Sequence, residues 1–352
     1  MHRIGRKVVP ALAAVLGLGS SCVQAASLMI LETPPDGYSD ARGINNAGTV
    51  VGNTHILQDP DGPPGYKLAW ATVWEDGKAT LIYEGLTPRY PRPYGMAYAV
   101  NRCGIVSGGT SVSHSSYANI WKHAVLQEMT WVTGDPTSPA FGINDAGQVV
   151  GFIRGFPSSP GFVWDGTKVQ LFNNPFGGRW TSLYGINNGG QMVGSASTST
   201  NNETRAVLWN GSTPTALANP LGGTYSSALA INNRGQAVGS ASSPDGSVTH
   251  AVLWDRGSAI DLGTPPGFED SFATAINELG LVVGKSYLPD GEVRATLWFR
   301  RTGVDLNSLL DPQTVASGWV LRDAEGINDR GWIVGNAVNT QTNQWAGYLL
   351  KP

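Results

Sequence analysis

Charge is scarce in this chain. Lys, Arg, Asp and Glu make up 14% of its 352 residues and nearly cancel, leaving a formal net charge of −3. A surface so close to neutral excludes functions that work through a strong field, namely nucleic-acid binding and attachment to an anionic membrane by a basic patch. Cysteine is scarcer still, with only Cys22 and Cys103. That rules out a disulfide scaffold, so stability must come from packing. The patterns Cys-x-x-Cys, His-Glu-x-x-His and Gly-x-Ser-x-Gly, and the phosphate loop, are all missing. The sequence therefore points to no catalytic residue, no metal site and no cofactor. Apolar residues nowhere recur with a sustained helical period, which leaves almost no room for helix. The one long apolar run, residues 8–19, is too short to span a bilayer.

What the chain has in plenty is turn formers and large aromatics: 46 Gly, 22 Pro and 12 Trp. They are arranged periodically. A ten-residue unit, Gly-Ile-Asn-Asn-Gly-Gly-Gln-Met-Val-Gly at 185–194, recurs at 43–52, 99–108, 142–151, 230–239, 275–284 and 326–335. Each copy has Asn after Ile or Val (Ile44, Val100, Ile143, Ile186, Ile231, Ile276 and Ile327), a Gly three residues after that Asn, and a closing Gly. Such regularity is the signature of a repeat architecture. It also avoids the difficulty of one oversized core, since each module buries only its contacts with two neighbours.

The units read as hairpins. The residue before each Ile or Val is Gly or Ala, and the residue two earlier is Ala in every copy but one, Leu183. By the period-two alternation of strands, one face of this first strand is made of small side chains, as needed where neighbouring sheets come closest. Asn-x-x-Gly is a turn, with Asn bonding its own backbone and Gly free to take positive φ. A second strand follows, and after a variable stretch a third with an Ala-x-x-Trp signature ending at Trp74, Trp121, Trp209, Trp254 and Trp298. Gly161 opens a close variant that ends at Trp164, and the seventh copy has no Trp. Asp76-Gly77, Asp165-Gly166 and Asn210-Gly211 signal tight hairpins into a fourth strand. Four antiparallel strands in about 45 residues is the size of one propeller blade. The expected fold is an all-β seven-bladed propeller over residues 26–352, its repeated Trp residues packed between blades. Residues 28–31 fill a fourth-strand slot ahead of the first unit, while residues 345–350 end on a third strand. Pairing residues 27–32 with 345–350 would close the ring and cover two exposed sheet edges.

Residues 1–25 read as a signal peptide: Arg3, Arg6 and Lys7, then the apolar run, then small residues before Ala26. Cys22 raises a lipoprotein alternative, although Gly19 stands where a lipobox wants Leu. With the leader removed, no integral membrane segment is expected. The Ile-Asn-Asn-x-Gly-x-Val-Val-Gly units, Asp261-Leu262-Gly263 and His250-Ala251-Val252-Leu253-Trp254 resemble the HAF repeat proteins of bacteria, with Val252 departing from the name-giving tripeptide. The resemblance covers essentially all of residues 27–352. It implies an exported, extracellular or envelope protein and brings no catalytic residues with it.

Topology narrows where a ligand would bind. In a meander the first-to-second and third-to-fourth turns share one face of the disc, and both are short and monotonous. The second-to-third loops and the crossings between blades share the other face and vary, as binding loops on a rigid scaffold do. Two long variable segments, 53–67 and 83–94, belong to the first blade. They carry Tyr83, Arg89, Tyr90, Arg92 and Tyr94 on a proline-rich path, beside His55 and Tyr66. Tyr and Arg are enriched at binding hot spots, so these seven residues form the expected ligand site, for an extracellular protein or glycan. The alternative is an exposed linker whose prolines merely block edge pairing. The crossing 307–322, with Trp319, is a second candidate. Three functional classes remain open: a non-enzymatic binding propeller, a glycan-acting hydrolase or lyase using carboxylates among Asp59, Asp61, Glu269, Asp270 and Asp311, and a structural envelope module. Asp59-Pro60-Asp61-Gly62 lacks the regular ligands of a calcium loop, His114 between two serines shows no triad geometry, and His250 stands where other repeats have Arg205 and Arg294, as an edge residue.

Overall fold

The computed structural model describes residues 26–56, 68–82, 94–112, 115–129, 138–155, 157–200 and 203–352. These form seven four-stranded antiparallel sheets. Blade one runs through Gly37–Ile44, Val50–Ile56, Leu68–Glu75 and Lys78–Leu81. Blades two to six repeat this order, beginning at Tyr94, Ala140, Gly177, Ser226 and Asp270. Blade seven takes Trp319–Ile327, Ile333–Asn339 and Gln344–Lys351 from the end of the chain and its outer strand, Ser27–Ile30, from the beginning. The register of that closure is Ser27 opposite Lys351 through Ile30 opposite Tyr348. The Leu31 N–H extends it by one bond, donating to the Gly347 carbonyl at 2.9 Å.

The core is divided as the repeats imply. It falls into seven apolar clusters, and each joins neighbouring blades. Trp74, Trp121, Trp164, Trp209, Trp254 and Trp298 are all buried in them. A buried aromatic of this size is worth about 3–5 kcal/mol against Ala. Blades meet closely where the sequence supplies Gly. A Cβ on Gly142 would lie 2.7 Å from the Tyr184 carbonyl oxygen of the next blade, a clash no L side chain can take. The seven turn glycines have φ between 75° and 99°.

The crossing from blade six to blade seven is more ordered than a variable loop. Leu306–Leu309 forms a 3-10 turn and Pro312–Ala316 a short α-helix. Asp311 caps the helix, its carboxylate accepting from the backbone of Gln313 and Thr314, and Pro312 suits the first helical turn, where its missing N–H costs nothing. Trp319 lies past this helix, at the start of a strand and against the blade-seven core, rather than in a loop.

Candidate functional site where the ring closes

Each first strand carries a β-bulge. The register slips at one residue between the two small side chains, or between Leu183 and Gly185 in blade four: Arg42, Tyr98, Phe141, Tyr184, Leu229, Thr274 and Glu325 in turn. A bulge leaves one residue unpaired and re-aims it. Here it turns that residue toward the axis, which explains why residues 43 to 56 positions apart touch. The Arg42 guanidinium lies 5.4 Å from the Tyr98 ring centre, Tyr98 is 5.1 Å from Phe141, and Phe141 is 5.4 Å from Tyr184. The axial wall is thus aromatic along blades two to four and charged where blades seven and one meet.

One end of the axis is closed by the repeated Asn. Asn45 Oδ1 accepts from the backbone N–H groups of Ala47, Gly48 and Thr49, fixing its own turn. Its Nδ2 donates to the carbonyl of Asn101 in the next blade, and the same bond repeats through Asn101, Asn144, Asn187, Asn232, Asn277 and Asn328 back to Asn45. All seven bonds are 3.0–3.1 Å long. A second circle runs through the following residues, where a backbone N–H donates to the next blade's side-chain oxygen at Asp145, Asn188, Asn233, Glu278, Asp329 and Asn46. It breaks at Arg102, which has no acceptor to offer to the Asn46 N–H. These side chains line a cavity of about 230 Å³, but they satisfy one another, and this face reads as scaffold.

The opposite face holds a larger cavity, about 400 Å³, lined by Tyr38, Ser39, Asp40, Asp323, Asn336 and Trp345. It sits at the seam between the first and last blades. Asp40 and Asp323 occupy the same position of their repeats, one residue before the buried Ala, opposite Asn53 and Asn336 on the second strand. The other five blades have Met96, Pro139, Ser182, Ser227 and Phe272 in place of the Asp. Each Asn bridges to the next blade: Asn53 Oδ1 accepts from the Ala97 N–H at 3.0 Å and Asn336 Oδ1 from the Ala41 N–H at 3.1 Å.

The two carboxylates differ in their partners. Asp40 Oδ1 accepts from Asn53 Nδ2 at 2.8 Å and Arg42 Nε at 2.9 Å, and Oδ2 accepts from His55 Nε2 at 2.6 Å. The His55 ring stacks on Tyr38, with centroids 4.2 Å apart. Burial works to raise the Asp40 carboxyl, but the His55 hydrogen bond and the Arg42 charge outweigh it and hold the group below its usual range. Asp323 Oδ1 accepts from the Asn336 backbone N–H and Nδ2, each at 2.9 Å. No cation bonds to it among the described residues. Burial, aided by the charge of Glu325, pushes it up to about 7. Glu325 is raised as well, by burial, with Lys285 and Arg42 opposing.

Of the residues expected to bind a ligand, Tyr66, Tyr83, Arg89, Tyr90 and Arg92 lie outside the described residues. Tyr94 opens the first strand of blade two, with its side chain outside the description. His55 is buried and spent on Asp40. The two segments leave blade one at Ile56 and Ile82, by topology on the face that carries the seam cavity. Of the carboxylates expected for a glycan-acting enzyme, Asp59 and Asp61 lie outside the described residues. The three described ones are apart in role and none lines the seam cavity: Asp311 caps a helix, Asp270 accepts from the Thr249 N–H, and Glu269 is exposed. Among the described residues no group of three His, Cys, Asp or Glu is placed to hold a metal ion, and no helix is long and apolar enough to cross a membrane. His250 meets Asp261 at 3.0 Å, a side-chain pair on one blade edge.

A scan against protein-family models and a search of curated proteins both return no match. Solved structures similar to this chain include TolB from Acinetobacter baumannii, with 11% identity, a TM-score of 0.47 and coverage of 87% of this chain and 64% of that one. The extracellular domain of the putative one component system BT4673 from B. thetaiotaomicron is similar at 7% identity and TM-score 0.49, over 92% of this chain and 40% of that one. The BP39L lectin from Burkholderia pseudomallei is similar at 10% identity and TM-score 0.41, over 94% of this chain and 99% of that one. The chain thus spans less than two thirds of the first two.

Proposed function

We propose that the protein is an exported, non-enzymatic binding propeller of the HAF repeat type, and that its ligand docks on the loop face at the seam between the first and last blades. One observation carries the reading. In a molecule built from seven near-identical blades, the two adjacent blades that share an Asp–Asn pair also flank a cavity with a half-exposed Trp345 on its wall. A scaffold needs no such departure from its repeat. Trp and Tyr beside polar groups are the means by which proteins grip both glycans and protein side chains. Tyr66, Tyr83, Arg89, Tyr90, Arg92 and Tyr94, from the two segments that leave blade one, contribute to binding in this reading. Export rests on the leader-like residues 1–25.

Hydrolysis of a glycan has one point in its favour, since carboxyl groups that ionise at different pH are the usual mark of an acid–base pair. Against it, three donors and the Arg42 charge hold the Asp40 carboxyl below its usual range, which makes it a weak base. Binding is the better account.

Wild type, a Trp345→Ala variant and an Arg89→Ala, Tyr90→Ala, Arg92→Ala variant, screened on glycan and envelope-protein arrays, test the proposal. Signals should be lost in the Trp345→Ala variant at unchanged melting temperature, and weakened in the triple variant. Full retention in both would reject the site.

A further inference from the structure

The seam cavity is short of positive charge, and its neighbours show where. Five groups of fixed chemistry face this side of the axis: Asp40 and Arg42 from the first strand of blade one, Asp323 and Glu325 from the first strand of blade seven, and Lys285 from the second strand of blade six. His55, on the second strand of blade one, reaches them only through Asp40. Both Arg42 Nε and His55 Nε2 are bound to Asp40. Asp323 and Glu325, two residues apart on one strand, are left with Lys285 as the cation that acts on both. Lys285 stands in blade six where Asn336 stands in blade seven, the position from which a side chain reaches the next blade. Tyr348, fully buried, donates its hydroxyl to the Asp323 carbonyl oxygen and brings no charge. The neighbouring Arg322 is turned away and paired with Glu292. Asp323 Oδ2 has no hydrogen-bond partner among the described residues, and its residue lines the cavity.

We propose that this cavity is a site for an organic cation, an ammonium or guanidinium group held by Asp323 with its carbon skeleton against Trp345 and Tyr38. The proposal rests on the binding reading above and names its ligand class. Two physical facts favour a cation over a neutral polyol. Two buried carboxylates that share one cation are short of counter-charge, which is costly, and a ligand that brings the missing charge removes that cost. Aromatic rings at the mouth attract a cation by their quadrupole as well as by contact. With the site empty the missing charge is made good by a proton, since burial pushes Asp323 up to about 7. Binding the cation therefore expels that proton. The ionised fraction of such a carboxyl rises about tenfold between pH 6 and pH 8, so cation affinity should rise by about the same factor.

Calorimetry of the full chain with choline, n-butylammonium and methylguanidinium tests this, in two buffers of different ionisation enthalpy at pH 6 and pH 8. The neutral choline isostere 3,3-dimethylbutan-1-ol and methyl β-glucoside serve as comparison probes. At least one cation should bind about tenfold tighter at pH 8, releasing close to one proton at pH 6, and the isostere should bind at least tenfold more weakly. Asp323→Asn, which keeps the acceptor for Asn336, should abolish both the pH dependence and the proton release. Equal binding of the neutral probes, or affinity indifferent to pH, would overturn the cation assignment and leave the binding site standing. Failure of all three cations to bind at 100 mM would also overturn it. The array signals of the Trp345→Ala variant then decide separately whether the seam binds anything.

Discussion

The repeated Asn does two tasks with one side chain. Its Oδ1 holds the turn, as its place in Asn-x-x-Gly implies, while its Nδ2 ties each blade to the next. The first task was legible in the sequence, because it is local. The second was not, because the acceptor is a carbonyl some 45 residues away and only the closed ring brings it near. Asp could perform the first task but not the second, having no N–H to donate. Asn187→Asp should therefore destabilise the fold by about 1–3 kcal/mol, the cost of an unmade bond at a buried acceptor. Asn187→Asp at neutral pH, compared with wild type by urea titration, checks this. An unchanged midpoint would mean that the ring of amides contributes nothing.

At the scale of elements, strand order, hairpin turns and Trp-bearing third strands all followed from periodicity and turn chemistry, since each is set by residues close in sequence. The bulge did not. Alternation predicts that the residue between Ala41 and Gly43 lies on the far side of a regular strand, whereas the register slip sends Arg42 to the axis. The blade-six crossing departs from the variable loop expected of it, because Asp311-Pro312 starts a helix. The closing strand is the element on which the ring depends. Ser27–Ile30 covers the outer edge of Gln344–Lys351, and Leu31 is buried against Ala41 of blade one. Deleting residues 27–32 should expose that edge, remove Leu31 from the core and lower soluble yield sharply. A deletion variant that expresses and melts like wild type would mean that closure does not need this strand.

Taken whole, the molecule is a near-symmetric ring broken at one seam, and the break was written in the sequence. Asp-Ala-x-Gly-Ile-Asn occurs at 40–45 and 323–328, and each copy is followed by Gly-Asn, at 52–53 and 335–336. These segments belong to the first and last repeats, the two that lie farthest apart along the chain. Their meaning emerges only when the ring closes and makes them neighbours, which no local pattern of insertions or aromatics reveals. The same closure buries Asp323 beside Glu325. A carboxyl raised on folding binds its proton in the folded chain across the window from about 4, the unfolded value, to about 7. Its folded form therefore carries the extra proton there, and its contribution to stability falls as pH rises through that window. Asp40 behaves oppositely, its stabilising charge present at neutral pH and lost only as pH falls through its depressed value.

The shortage of positive charge at the seam, where Asp323 and Glu325 share Lys285, can be measured directly. A carbon-13 NMR titration of protein labelled at the Asp side-chain carboxyls, with Asp323 assigned by its loss in Asp323→Asn, gives the ionisation midpoint of that one group. The midpoint should lie near 7 in the free protein and fall when a bound cation takes the proton's place. A midpoint near 4, the value of an ordinary exposed carboxyl, would contradict the account.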